Sequence, residues 1–277
     1  MVEKRVALVI GSGSVKCAAA LGLWKVMERE GIKLDMVVGC SGGSMFAAGI
    51  AFGDDVASIE QTTLNLWTED LMSGYTSNLR SAMTGEMRFT ERSGLVDSEA
   101  AAARIASVHG SRSFAQTKIP LSIVATDFMT GEPVVISEGC VMDAIRASIA
   151  IPMIFPPHEV DGRLLIDGAV SNPLPVDVAI KEGCNMILAM GFSLPYRARM
   201  RSFNAVQSHL NAIYINNILR ATYSFYNLAH HAEIIPILPV FEKEIGNFDA
   251  AQLPYIIEQG QKEAEAHMPY LKRLLEM

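Results

Sequence analysis

A serine framed by small residues stands at position 41, inside the stretch VVGCSGGSMFAAG that covers residues 37–49. Gly39, Ser41 and Gly43 satisfy the pattern G-x-S-x-G, and Gly42 adds a further small residue. On a tight strand-to-helix turn a serine holds its hydroxyl clear of the sheet, while flanking glycines tolerate the bent backbone and leave room for a substrate. A helix that begins at once turns its unpaired N–H groups and positive dipole end toward any negative oxygen near Ser41. That is the equipment of acyl transfer. Small residues at such turns also serve packing alone, so the five residues by themselves leave both readings open.

Two other segments bear on the choice. GSGSVKC, residues 11–17, follows a short apolar run and would lie at the same end of a parallel sheet as Ser41. Its backbone N–H groups are placed to meet a developing oxyanion, and its bland reading is a plain turn. A dinucleotide loop is excluded because Gly11 and Gly13 are followed by Lys16 where the third glycine belongs. LLIDGAVSNPLP puts Asp167 at the end of an apolar run, with Gly168 and Ala169 next. A partly buried carboxylate there suits a general base, and an Asp-Gly pair also suits an ordinary turn.

The elements that must carry these residues follow from the hydrophobic pattern. VALVI reads as a buried strand, residues 18–30 as a helix with Gly31 at its C-terminal cap, 36–38 as a second strand and 43–51 as a second helix. Strand, helix, strand, helix opens a parallel sheet. Residues 54–114 hold no convincing strand and form a candidate helical cap carrying Leu66, Trp67, Leu71, Met72, Tyr75, Met83, Met87 and Phe89, of which the Met and Trp residues read as core rather than as the lining of a groove. Two hairpins are expected, one around Thr130-Gly131 and one around Asp161-Gly162. A helix at 176–182, a strand at 186–190, a long helix at 205–232, a strand at 234–237 and a C-terminal helix complete the chain. The aromatic residues of the long helix, Tyr214 and Tyr223 among them, read as core.

With 277 residues, half of them hydrophobic, the chain is long enough for one large α/β domain, and no linker or repeat divides residues 1–277. A net charge of -7 without basic clusters argues against a nucleic-acid partner. Cys17, Cys40, Cys140 and Cys184 lack metal-ligand or disulfide-framework spacing and read as reduced thiols of a cytoplasmic protein. No apolar run is long enough for a bilayer span, so any membrane contact is expected at the surface and transient. Neither a metal nor another cofactor is expected. Among the histidines, His158 opens a hairpin and His230-His231 ends a helix; neither has a carboxylate at ligand spacing. Arg146 reads as an ion-pair partner, Thr126 and Asp127 as turn-shaping residues, and Lys16 as either an anion-steering group or a local cap.

The three segments, in this order and spacing, resemble the patatin-like phospholipase family from Val6 to about Met190. TDFMTGEPVVISEG, DAIRASIAIPMIFPP and DGRLLIDGAVSNPLPV strengthen the likeness. The resemblance implies a three-layer α/β/α fold around a mostly parallel sheet. It implies a lipid acyl hydrolase in which Ser41 and Asp167 form a catalytic dyad without histidine, with Gly39, Gly42, Gly43, Gly168 and Ala169 supporting the motifs. The substrate would be a lipid or other acyl ester.

The family's oxyanion loop, G-G-G-x-K/R-G, aligns through Lys16 and places Ser12, Gly13 and Ser14 on the glycine triplet, behind Gly11, and Cys17 on the last glycine. These replacements keep their N–H donors, but their Cβ atoms restrict φ, and a positive φ would cost roughly 1 kcal/mol or more each. An acyl thioesterase or acyltransferase with the same dyad, and a lipid-binding pseudoenzyme with a degraded loop, are the alternative readings.

Overall fold

The computed structural model describes residues 3–66, 74–96, 110–194, 196, 198–229, 232–246 and 249–276. Its strands are β1 (Val6–Ile10), β2 (Met36–Cys40), β3 (Leu121–Asp127), β4 (Pro133–Ile136), β5 (His158–Val160), β6 (Arg163–Asp167), β7 (Met186–Met190) and β8 (Glu233–Ile237). They form one eight-stranded sheet in the order β5-β6-β3-β2-β1-β7-β8, with β4 branching from β3. β3, β2, β1, β7 and β8 run parallel. β4, β5 and β6 add an antiparallel flank.

The central strands VALVI, MVVGC and MILAM are buried along their whole length, as apolar runs covered on both faces must be. Alternation divides β1 between two cores. Leu8 and Ile10 pack with residues of α1 (Ala19–Arg29), α2 (Gly42–Phe52) and α8 (Leu253–Glu276). Ala7 and Val9 face the other core, with residues of α6 (Val176–Lys181) and Leu219 of α7 (Phe203–Ala229). The result is the expected three-layer arrangement. α3 (Val56–Leu66) and α4 (Tyr75–Thr84) lie in the segment between α2 and β3, and α5 (Val141–Ser148) lies between β4 and β5.

Several local features differ from the sequence expectations. The first helix is preceded by a 3-10 turn over Ser14–Ala18, and α2 begins one residue after Ser41. The hairpin β5–β6 turns through Asp161 and Gly162, with φ of 51° and 75°, the paired positive values of a type I′ turn. Helix α5 was not anticipated, although Val141, Ala144, Ile145 and Ser148 are buried at helical spacing.

Met83 is 73% exposed and Tyr214 60%, against their reading as core. The sequence pattern records apolarity but not which helix faces find a partner. Trp67, Leu71 and Met72 lie outside the described residues, as do His230 and His231; no strand occurs among the described residues of 54–114. The four cysteines are free, and no described helix is long and apolar enough to cross a membrane.

Helix α8 is seated on α1 by backbone contact. A Cβ on Gly260 would lie 1.9 Å from the Ala19 carbonyl oxygen, and one on Gly22 would lie 2.0 Å from that of Ile257. Gly260→Ala gains about 1 kcal/mol of helix propensity but forces the helices apart, and overpacking of this kind costs about 1–3 kcal/mol or more. We expect a net fall in melting temperature of about 2–4 °C, read by thermal unfolding. A rise would show that the crossing is looser than the geometry requires.

Candidate active site

Ser41 follows β2 and precedes α2, and its backbone takes φ 54° and ψ -132°. A positive φ at a residue bearing a Cβ is strained by about 1–3 kcal/mol and persists only where the surroundings fix it. The surroundings here are backbone. A Cβ on Gly39 would lie 2.6 Å from Cα of Ser44, one on Gly42 would lie 2.6 Å from the Ser14 carbonyl oxygen, and one on Gly43 would lie 2.3 Å from that of Ile10. These glycines allow β1, its following loop and the start of α2 to press together. The Ser41 N–H donates to Ser148 Oγ at 2.8 Å, and the Ser148 hydroxyl donates to the Val124 carbonyl at 2.6 Å. Ser148 thus ties the turn to β3.

Asp167 ends β6, on the opposite side of β3 from β2. Cys40 is paired with Val124, and Ala125 with Asp167, so the serine turn and the aspartate arrive at the same level of the sheet. Gly168 then passes over the end of β3, where a Cβ would lie 2.2 Å from the Val124 carbonyl oxygen. Across this crossing the Ser41 hydroxyl donates to Asp167 Oδ2 at 2.7 Å, joining residues 126 apart in the chain. Asp167 Oδ1 accepts the Ala169 N–H at 2.8 Å. Its main chain is fixed as well, through an N–H to the Ala150 carbonyl at 3.0 Å and a carbonyl that accepts the Thr126 hydroxyl at 2.9 Å. Thr126 therefore holds the aspartate and does not shape its own turn. Asp127 does shape its turn, accepting the N–H groups of Met129 and Thr130.

Only 3% of Asp167 is exposed. Burial pushes its carboxyl up to about 7, and the hydrogen bonds from Ala169 and Ser41 only partly offset this. A carboxylate with that affinity for protons, held on a serine hydroxyl, can exchange a proton with it near neutral pH.

The loop after β1 lies against the same turn. The Gly11 N–H donates to the Met190 carbonyl at 2.9 Å and the Ser12 N–H to the Pro173 carbonyl at 2.8 Å. Ser12 is therefore committed to the scaffold, a correction to its place among the oxyanion donors. Gly13 has φ 179° and ψ 10°, and its N–H meets no acceptor among the described residues. Ser14 takes φ 54°, the left-handed conformation that glycine adopts more cheaply. Cys17 is buried, its thiol donating to the Gly11 carbonyl at 3.3 Å.

Lys16 is only 8% exposed, and burial lowers its pKa; no described residue forms an ion pair with it. It borders a cavity of about 840 Å³ at the same sheet edge, lined also by Leu194, Tyr196, Arg199, His209 and Phe241. His158 is engaged elsewhere, with Nε2 3.0 Å from Asp143 Oδ1, and is held below the usual histidine range by burial. The residues that sequence reasoning missed are Ser148 and the holding role of Thr126. The helical spacing of α5 was a usable signal for Ser148, whereas the Thr126 contact depends on the pairing of β3 with β6.

A family profile described as Patatin-like phospholipase matches residues 8–180. An uncharacterised NTE family protein of Mycobacterium bovis is 30% identical over 225 residues, which cover 81% of this chain and 58% of that protein. The chain thus spans little more than half the length of that relative. Patatin-like phospholipase domain-containing protein 7 of Rattus norvegicus is 26% identical over 187 residues, 67% of this chain and 13% of that protein. Among solved structures, human GIVD cytosolic phospholipase A2 in complex with methyl gamma-linolenyl fluorophosphonate shares the fold, with a TM-score of 0.51 at 12% identity, over 99% of this chain and 60% of that one. With most of its sheet and the segments bearing Ser41 and Asp167 inside the matched region, the chain belongs to the patatin-like phospholipase family.

Proposed function

We propose that this chain is a lipid acyl hydrolase that works through a Ser41–Asp167 dyad and an acyl-enzyme. The observation that carries the reading is the 2.7 Å contact between the Ser41 hydroxyl and a buried carboxyl whose pKa is raised to about 7. An ordinary carboxylate, near 4, is too weak a base to draw a serine proton efficiently, and burial supplies the missing basicity.

In this reading Asp167 Oδ2 takes the proton as Ser41 Oγ forms its bond to the acyl carbonyl carbon. The oxyanion of the tetrahedral intermediate is met by the Gly13 N–H and by the first N–H groups of α2. Its collapse breaks the ester bond, and the alcohol departs with the proton from Asp167. Water then enters, gives a proton to the same carboxylate and attacks the acyl-enzyme, and the fatty acid leaves as Ser41 regains its proton. Esters are the fitting substrates, because alkoxide leaving groups depart more readily than amines from a site whose acid is a carboxyl.

Ser41→Ala should remain folded, lose hydrolysis of a short-chain p-nitrophenyl ester and lose labelling by a fluorophosphonate probe mapped by mass spectrometry. Labelling at Ser12, Ser14 or Ser44 in the unaltered protein would move the nucleophile elsewhere. Asp167→Asn keeps the shape and an oxygen that can accept the Ala169 N–H but removes the base, so kcat should fall at least about a hundredfold with little change in KM.

The same substitution should stabilise the fold. A carboxyl whose folded pKa is raised loses stability as pH climbs through the interval between its unfolded value, near 3.9, and its folded one. The gain in melting temperature from Asp167→Asn is therefore expected to be larger at about pH 8 than at about pH 5. A gain independent of pH would mean that the folded carboxyl is not raised above its unfolded value.

Ser14→Gly tests the loop. Removing the Cβ relieves left-handed strain of about 1–2 kcal/mol, and the added chain entropy costs about 0.5–1 kcal/mol, so stability should change little. We expect kcat equal to or above that of the unaltered protein. A sharp loss of kcat in a stable fold would assign the Ser14 hydroxyl itself to the oxyanion.

A further inference from the structure

Charge is distributed unevenly along this acidic chain. The net charge is -7, yet residues 183–232 contain no aspartate or glutamate and four arginines, Arg197, Arg199, Arg201 and Arg220. Arg199, Arg201 and Arg220 are exposed. Within the same stretch the first half of α7 turns apolar side chains outward. Phe203 is 61% exposed, Val206 45%, Leu210 43% and Tyr214 60%. At 100° per residue these four fall on one narrow stripe of the helix, and Met200 and Tyr196, in the segment before it, are exposed as well.

One contact ties the helix that carries this stripe to a segment near the Ser41–Asp167 site. Gln207, on the same turn of α7 as Val206, contacts Met153 through Nε2 and Sδ at 3.2 Å. Met153 is itself 41% exposed and lies three residues from Ala150, whose carbonyl holds the Asp167 N–H. Val170, three residues beyond Asp167, is 43% exposed. Apolar side chains thus stand outward both on α7 and on the segments that bracket the catalytic carboxyl. An exposed apolar stripe flanked by arginines, with aromatic residues at its ends, has the composition of a surface that lies in the headgroup region of a bilayer.

We propose that the N-terminal half of α7, with Arg199 and Arg201, is the surface by which this protein docks on anionic lipid membranes. Phe203, Val206, Leu210 and Tyr214 would enter the headgroup boundary while the arginines pair with anionic headgroups. The positive charge of a segment in an otherwise acidic protein selects a negative surface and orients the molecule toward it. A second copy of the chain is a poorer occupant, since a two-fold contact would set the arginine-flanked stripe against itself. The inference takes its purpose from the acyl-hydrolase reading, but binding and hydrolysis are measured separately.

The experiment is co-sedimentation with vesicles of phosphatidylcholine alone and of phosphatidylcholine mixed with phosphatidylglycerol, using the unaltered protein, Ser41→Ala, Arg201→Glu and the double variant Phe203→Ser, Leu210→Ser. The unaltered protein and Ser41→Ala should pellet with the anionic vesicles, remain free of the neutral ones and be released by salt. Arg201→Glu should weaken partitioning at least about fivefold, the effect of roughly one basic residue near an anionic surface. The double variant should abolish it, with turnover of a short-chain soluble ester preserved in both as proof of fold.

Equal binding of the unaltered protein to neutral and anionic vesicles would overturn the proposal, a result that needs no variant to fold. Unchanged binding by a variant that keeps soluble-ester turnover would overturn it too. So would conversion of a dimer to a monomer by the double variant without loss of vesicle binding, which would assign the stripe to a second copy. Vesicle binding without ester hydrolysis would leave the docking surface standing and remove the acyl-hydrolase reading; hydrolysis without binding would do the reverse.

Discussion

The architecture turns on burying one carboxyl, that of Asp167, against a serine hydroxyl. Ionising it in a dry site is costly, so the group holds its proton to about pH 7, well above an ordinary aspartate. The contacts around that group keep it fixed and buried. Ala169 and Ser41 occupy its two oxygens, while Ala150 and Thr126 hold its main chain. Because β3 stands between β2 and β6, the contact forms only where the chain can fold over the end of β3. Gly168 supplies that passage, since a side chain there would strike the Val124 carbonyl.

The second constraint is strain held by close packing. Ser14 and Ser41 both carry φ of 54°, on loops that follow adjacent parallel strands, and Gly42 lets the two backbones meet. Each loop blocks the relaxation of the other, and Ser148 fixes the Ser41 turn from the far side. The position of the Ser41 hydroxyl is thereby set by the fold itself. The Ser12 N–H, spent on the Pro173 carbonyl, contributes rigidity rather than an oxyanion donor.

Much of this was legible in the sequence because it rests on local chemistry. The apolar runs VALVI and MILAM marked buried parallel strands, Asp161-Gly162 marked a tight hairpin, and the two short motifs drew attention to Ser41 and Asp167. What escaped depends on contacts between distant segments. Ser148 became important only through its position beside both Val124 and the Ser41 turn, and Ser12 lost its free donor to a proline carbonyl that no local pattern links to it. Tyr214 and Met83 stand exposed against their reading as core, because an apolar residue on a helix reads alike whether its face is covered or bare.

The measurement that bears most directly on the account is the pH dependence of covalent labelling of Ser41 by a fluorophosphonate, followed as a rate. If Asp167 is the base, the rate should rise with pH, bend near about 7 and level off above it, because only the ionised carboxyl can accept the serine proton. The bend should vanish in Asp167→Asn. A rate that bends near 4, or a bend near 7 that survives in Asp167→Asn, would contradict the claim that this buried carboxyl activates Ser41.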